Sequence, residues 1–378
     1  MRPYIFSFKV GGVIVRAEPS WLFLALLIGW SLASGFFPAQ LEGLETSTYV
    51  AMALLGVFGL TFSIIAHELS HTFVGRAYGL KINRITLFIL GGAAELEEEP
   101  DRASVELVMA VAGPLMSLFL AFVFSQASNL EVFAEDMAPL KLVLSYLGLI
   151  NLILAVFNMI PAFPLDGGRV FRALIWLINK DRLAATRLAS RVGEGFAFAF
   201  MAAGGLIVVM SGSLAGLWWI FIGFFMRTAA KSSRFQLEVR QALKSIRAMD
   251  LVSPGVETSD PSLRVSDFIE HKLIRHHRDW FAVVDGTRLI GGAGLAEAQA
   301  IAASKREQTA LDEIVIAPVR GEIMAGSDSA DKAFMSMQSY HLSRLYLVEG
   351  DRFIGVLTLA DLVEYARMRT LFEQARLG

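Results

Sequence analysis

The chain has 378 residues, no cysteine and a net charge of −2, with 54% hydrophobic and 19% charged positions. Residues 1–234 hold 17 Lys/Arg and 16 Asp/Glu, about 14% of positions, whereas residues 235–378 hold 17 and 20, about 26%, so the first part is short of charge and the second resembles a soluble domain. The missing cysteines exclude disulfide frameworks, Cys-ligated zinc and thiol catalysis, and the lack of a basic excess excludes nucleic acid as a partner.

In chain order, Tyr4 to Arg16 alternates around Gly11-Gly12 and predicts a hairpin. Apolar stretches able to span ~30 Å of hydrocarbon follow near 19–37, 49–74, 105–127, 139–160, 193–211 and 214–230, which predicts six transmembrane helices. The first reads as a retained span, because no small-residue cleavage site follows it. Between spans two and three, Ile82 to Leu96 is β-branched and apolar around Gly91-Gly92 but too short to span. It predicts a strand or a re-entrant loop buried against protein. The acidic run Glu95, Glu97, Glu98, Glu99, Asp101 reads as a solvated surface loop.

Lys and Arg set the orientation. They fall before span one (Arg2, Lys9, Arg16), between two and three (Arg76, Lys81, Arg84, Arg102), between four and five (Arg169, Arg172, Lys180, Arg182, Arg187, Arg191) and after six (Arg227, Lys231, Arg234), while the alternate connections have none. Both termini are therefore expected in the cytoplasm.

Span two contains His67-Glu68-Leu69-Ser70-His71. Residues four apart share a helix face, so both imidazoles can hold one zinc while Glu68 meets a water beside them. Ionisable groups inside an apolar span are costly and usually functional, which argues against two idle histidines. A catalytic zinc takes three protein ligands and an open position. Asp166 is the best third candidate, because Pro161 and Pro164 stop span four and Gly167-Gly168 permit a tight turn that holds a carboxylate at membrane depth.

His67-Glu68-x-x-His71 in a membrane helix, followed by Asn158-x-x-Pro161-x-x-Pro164-x-Asp166-Gly167, resembles the site-2 protease family of intramembrane zinc metalloproteases, over roughly residues 1–235. Gly91-Gly92 and Ala112-Gly113-Pro114 fit the same resemblance. It implies a polytopic α-helical membrane protein with short β or re-entrant segments, with His67, His71 and Asp166 as zinc ligands, Glu68 as general base and Asn158 assisting. Gly91, Gly92 and Pro164 are the candidate substrate contacts. Two positions depart from the family: Ser117 stands where an Asn is frequent, and Glu18-Pro19 where His-Pro or His-Trp is. The Ile82 to Leu96 segment offers a strand edge for an unwound substrate, with Leu87 and Leu90 as the positions where proline should interfere.

The last 130 residues repeat at an offset of 64: Phe281 to Gly291 aligns with Leu345 to Gly355, and Leu295-Ala296-Glu297 with Leu359-Ala360-Asp361. Each copy reads as strand, tight turn, strand, helix. This resembles a tandem pair of α/β CBS domains over 246–372, divided about 246–303 and 310–372. The resemblance implies an adenine nucleotide contacted by Thr358 and Asp361; copy one has Gly294 and Glu297 there. A homodimerisation or docking module without ligand is the other reading.

The expectation is a multi-pass prokaryotic cell-membrane protease, with one zinc per chain and CBS control, that cuts a membrane-anchored protein in regulated intramembrane proteolysis. The resemblance points to anti-sigma factors, transcription-factor precursors or signal-peptide remnants as substrates. The rival is a CBS-regulated transporter or channel, which should spread ionisable groups over several spans.

Overall fold

The computed structural model describes residues 4–89, 91–96, 100–130, 137–252 and 258–375. The chain forms two compact units, Met1–Arg234 and Phe235–Gly378.

Among the described residues of the first unit, five helices are long and apolar enough to cross a membrane: α1 (Pro19–Gln40), α2 (Thr46–Ala77), α3 (Ala103–Ser128), α4 (Ala138–Asn158) and, after the shorter α5 (Asp166–Asn179), α6 (Arg182–Ser211). The expected sixth, 214–230, is the first half of α7 (Ala215–Leu243) but is not among the five. Trp218 and Trp219 favour the interface over the hydrocarbon core, and Arg227 ends the apolar run early. Helix α6 starts eleven residues before the expected 193, because the Asp181 carboxylate caps it by accepting from the Leu183 and Ala184 N–H groups. Trp30, Phe58, Ile178, Val209 and Met210 are each at least 70% exposed, a surface suited to lipid and penalised by water.

The two non-helical stretches of the sequence form one sheet. Strands β1 (Phe6–Val10) and β2 (Val13–Ala17) make the expected hairpin, with Gly11 and Gly12 both at positive φ. Strands β3 (Ile82–Phe88) and β4 (Gly91–Leu96) make a second, and β2 pairs with β3 in parallel, giving the order β1-β2-β3-β4. Within the acidic run, Glu95 therefore belongs to a strand, while Glu97, Glu98 and Glu99 lie outside the described residues.

Strand alternation directs Val13, Val15, Ala17, Ile85 and Leu87 onto Trp21 and Leu24 of α1 and Ile64, Ile65 and Leu69 of α2. At the end of α2, Arg76 donates to the carbonyls of Gly11, Gly12 and Ile82. One guanidinium thereby ties both hairpins to the helix that carries His67 and His71.

The second unit realises the repeat. Strands β6 (Trp280–Asp285) and β7 (Arg288–Gly294) lead into the helix Leu295–Ala300; 64 residues on, β9 (Arg344–Glu349) and β10 (Arg352–Thr358) lead into Leu359–Ala375. Gly286 and Gly350 make the two turns at positive φ. Each hairpin gains a short parallel strand, β5 (Thr258–Ser259) or β8 (Ile323–Ala325), so the sheets have the same order, β5-β6-β7 and β8-β9-β10. Tyr346 and Ala282 join the copies in one apolar cluster.

Candidate metal centre

Helix α2 carries His67 and His71 one turn apart, both 4% exposed. The third group comes from the far side of an irregular loop. Helix α4 ends at Asn158, and residues 159–165 run irregularly until Leu165 caps α5, leaving Asp166 in its first turn, where the helix dipole favours a carboxylate. Ala162 and Phe163 anchor the loop against α6 and α7. Gly167 and Gly168 lie so close to the backbone of Met159, Ile160, Ala162 and Phe163 that a Cβ at either would overlap it. The paired glycines thus permit the close approach that brings Asp166 inward.

Three acceptor atoms converge. Asp166 Oδ2 is 3.1 Å from Nε2 of both His67 and His71, and the two Nε2 atoms are 3.2 Å apart. Ligands placed tetrahedrally at ~2.0 Å from one zinc stand ~3.3 Å from each other, so the triangle has the size of one face of a zinc site. The imidazoles are oriented from behind. His71 Nδ1 is 2.6 Å from the Met109 carbonyl and can only donate to it, which leaves the Nε2 lone pair facing the centre. His67 Nδ1 is 2.9 Å from Ser117 Oγ. Two imidazoles and a carboxylate converging in a buried place call for a cation.

Gly113 supplies the room. A Cβ there would stand 2.2 Å from His71 Nε2 and 2.6 Å from His67 Nε2. The three residues thus fit a single zinc ion, with α3 leaving a hollow over it. Glu68 lies within charge–charge range of His71, His67, Asp166 and Arg169. Strand β4 presses on its side chain, since a Cβ on Gly92 would be 2.6 Å from Glu68 Cγ.

The remaining candidates fall less centrally. Asn158 is half-buried at the end of α4, its side chain making no hydrogen bond among the described residues. Gly91 sits at φ +126 facing open space, and Pro164 is exposed in the loop. Gly113 entered the sequence reading only through the Ala-Gly-Pro resemblance and Ser117 only as a departure; both touch the imidazoles. Met109 acts through its backbone carbonyl, which no residue type announces. The buried Glu106 and Arg172, an ion pair between α3 and α5, carried no motif.

In the second unit, Thr358 and Asp361 bond each other: Asp361 Oδ2 accepts from the Thr358 N–H and hydroxyl, and Thr358 Oγ accepts from the Asp361 N–H. They cap the helix Leu359–Ala375 as a capping box does. A cavity of about 290 Å³ opens between the two copies, with Trp280 and Glu297 of copy one and Glu322, His341, Arg344 and Tyr346 of copy two on its walls. Arg344 lies over the Trp280 ring at 4.2 Å.

Two histidines and an aspartate in a zinc-sized triangle, with a glutamate beside them inside an apolar helix, form a group that could hold the metal of a metallopeptidase. The model for peptidase family M50 matches residues 55–133 and 127–203, and that for the CBS domain matches 323–367. Rip3 of Mycobacterium tuberculosis is 29% identical over 364 residues, which is 96% of this chain and 92% of Rip3. MJ0392 of Methanocaldococcus jannaschii is 27% identical over 371 residues, 98% of each chain. MJ0611 of the same organism is 30% identical over 152 residues, 34% of this chain and 76% of that one. All three carry zinc metalloprotease in their names. The chain belongs to peptidase family M50, the site-2 proteases, and is a zinc metalloprotease of the membrane with a CBS module in its second unit.

Proposed function

We propose that this protease hydrolyses a peptide bond within or near a transmembrane segment of a membrane-anchored protein, as a step of regulated intramembrane proteolysis. The convergence of His67, His71 and Asp166 at 3.1–3.2 Å, two of them on a helix long enough to cross a bilayer, carries the reading.

Zinc held by His67, His71 and Asp166 would supply a Lewis acid that polarises the scissile carbonyl and lowers the pKa of water toward neutrality. Glu68 accepts the proton that the attacking water releases and returns it to the leaving amine, so its own state is restored each turnover. Ser117 and the Met109 carbonyl hold the imidazoles in place meanwhile. Asn158 continues the buried stripe Val143, Leu147, Asn151, Ala155 along α4, and its amide N–H is the group offered to the developing oxyanion. In full-length protein reconstituted in bilayers, cleavage of a fluorogenic transmembrane peptide is expected to stop on chelation and return with one zinc per chain. Cleavage that persists in metal-free protein overturns the reading.

A helical substrate seals its own peptide bonds and must open before attack. The edge that receives it is β4, which touches Glu68 through Gly92. Leu87, the position first expected to matter, lies on the interior strand β3 with its side chain fully buried, and residue 90 lies outside the described residues. Of two consecutive strand residues, one turns its N–H into the sheet and the next turns it to the free edge. Ala93→Pro and Ala94→Pro should therefore differ: the edge-facing one is expected to lower cleavage about tenfold or more with zinc content intact, given ~1.4 kcal/mol for a lost substrate bond. Wild-type cleavage by both variants excludes β4 as the docking edge.

The positions of Lys and Arg support six spans in the cell membrane, the apolar half of α7 being the sixth, with both termini in the cytoplasm. The second unit is then a cytoplasmic CBS pair, about 246–303 and 310–372, that modulates cleavage. Its cavity, with aromatic walls beside His341 and Arg344, favours an adenine nucleotide as ligand between the two copies, while Thr358 and Asp361 are engaged with each other.

A further inference from the structure

Helices α3 and α5 meet in three successive layers that run in opposite senses along the two chains. Glu106 pairs with Arg172: its Oε1 accepts from Nε at 2.7 Å and from a terminal guanidinium nitrogen. One turn on, Arg169 reaches the Met109 sulfur at 3.8 Å, while the Met109 carbonyl holds His71. One turn further, Gly113 faces the two imidazoles, and Asp166 closes the centre from α5. Arg172 also lies 5.2 Å from the Phe163 ring in the loop that delivers Asp166.

We propose that the Glu106–Arg172 ion pair is the positioning device for the third zinc ligand: it fixes the register of α5 along α3, and that register sets where Asp166 meets His67 and His71. This rests on the three residues being the zinc ligands. Helix α5 presents only its first turn to the metal, and a slip of one turn moves a side chain by ~5.4 Å, beyond any zinc bond. Apolar ridges between membrane helices allow such slips at small cost, whereas a desolvated charge pair has one satisfied register. The pair is not arranged for maximal strength. Glu106 is wholly buried, and its Oε2 has no partner among the described residues while both guanidinium nitrogens share Oε1. Specifying position at the expense of stability is the best-attested use of a buried ion pair.

The test uses the full-length protein and the double variant Glu106→Met with Arg172→Met, which replaces the pair by apolar chains of similar length. A purely structural pair replaced in this way leaves zinc affinity alone. Positioning predicts that the thermal midpoint of the metal-free protein stays or rises while zinc, titrated against a competing chelator, binds ~10–100-fold more weakly. The cobalt-substituted form should show an altered visible spectrum, reporting a changed ligand set. Arg172→Lys keeps the charge and loses the fork, and it is expected to weaken zinc less than Arg172→Met. Wild-type zinc affinity in the double variant, or in Arg172→Met should the double variant not fold, overturns the proposal. Wild-type protein that binds no zinc overturns the reading beneath it.

Discussion

Glutamine at position 68 is expected to leave the zinc in place and to lower peptide hydrolysis by ~10²–10⁴, the usual contribution of a positioned general base. The retention follows from geometry. The three converging atoms belong to His67, His71 and Asp166, and Glu68 is not one of them. The substitution keeps the volume of the side chain, so the contact with Gly92 and β4 survives. What it removes is the capacity to accept a proton, because an amide oxygen is not basic near neutral pH. Zinc content and single-turnover cleavage of a transmembrane peptide, measured on one preparation, separate the outcomes. Cleavage within tenfold of wild type removes Glu68 from the role of base. Loss of zinc together with cleavage makes it a residue that shapes the ligand set.

Gly113→Ala should do the reverse and abolish zinc binding while leaving the helix intact. By propensity alone the change is favourable, since alanine in a helix interior gains about 1 kcal/mol over glycine. The added methyl group, however, lands 2.2 Å from His71 Nε2 and 2.6 Å from His67 Nε2, in the hollow that α3 leaves over the centre. The imidazoles cannot retreat: His71 is held by the Met109 carbonyl and His67 by Ser117. Zinc affinity is expected to fall by at least ~100-fold, the upper end for outer-shell changes, because this one enters the coordination space itself. Thermal unfolding of the metal-free variant should show a modest loss, the ~1–3 kcal/mol cost of overpacking offset in part by the helix propensity of alanine. Zinc binding within threefold of wild type would refute the placement of Gly113 over the metal.

Much of the first unit was legible because a membrane simplifies the code. Lipid offers no hydrogen bonds, so a spanning segment must be helical and must announce itself by an unbroken apolar run. Five such runs are helices able to cross. The 214–230 segment, with two tryptophans and an arginine, is less apolar than these five, and α6 began early because Asp181 supplied a cap that an apolar run does not announce. His67, Glu68 and His71 were readable because all three lie on one helix turn, where sequence spacing is spatial spacing. Asp166, 95 residues from His71, was readable only through what a zinc site still lacked and through the proline and glycine residues around it. In the second unit, an offset of 64 residues was enough to predict two matching hairpins, because strand, turn and helix are local patterns.

The sequence by itself determined the elements, the chemical types at the centre and the duplication in the second unit, all of which rest on local spacing and on the cost of charge in lipid. The tertiary structure decided what those elements do to each other. It joined two distant hairpins into one sheet through the parallel pairing of β2 and β3, which has no local signature. It placed β4 against Glu68 and made β4, not β3, an edge strand among the described residues. It turned Gly113, the Met109 carbonyl and Ser117 into parts of the metal centre, and set Glu106 opposite Arg172. The physical reason is common to all of these. Each depends on a glycine's missing atom, a backbone group or a register between helices, and each acquires meaning only from the neighbour that packing brings within reach.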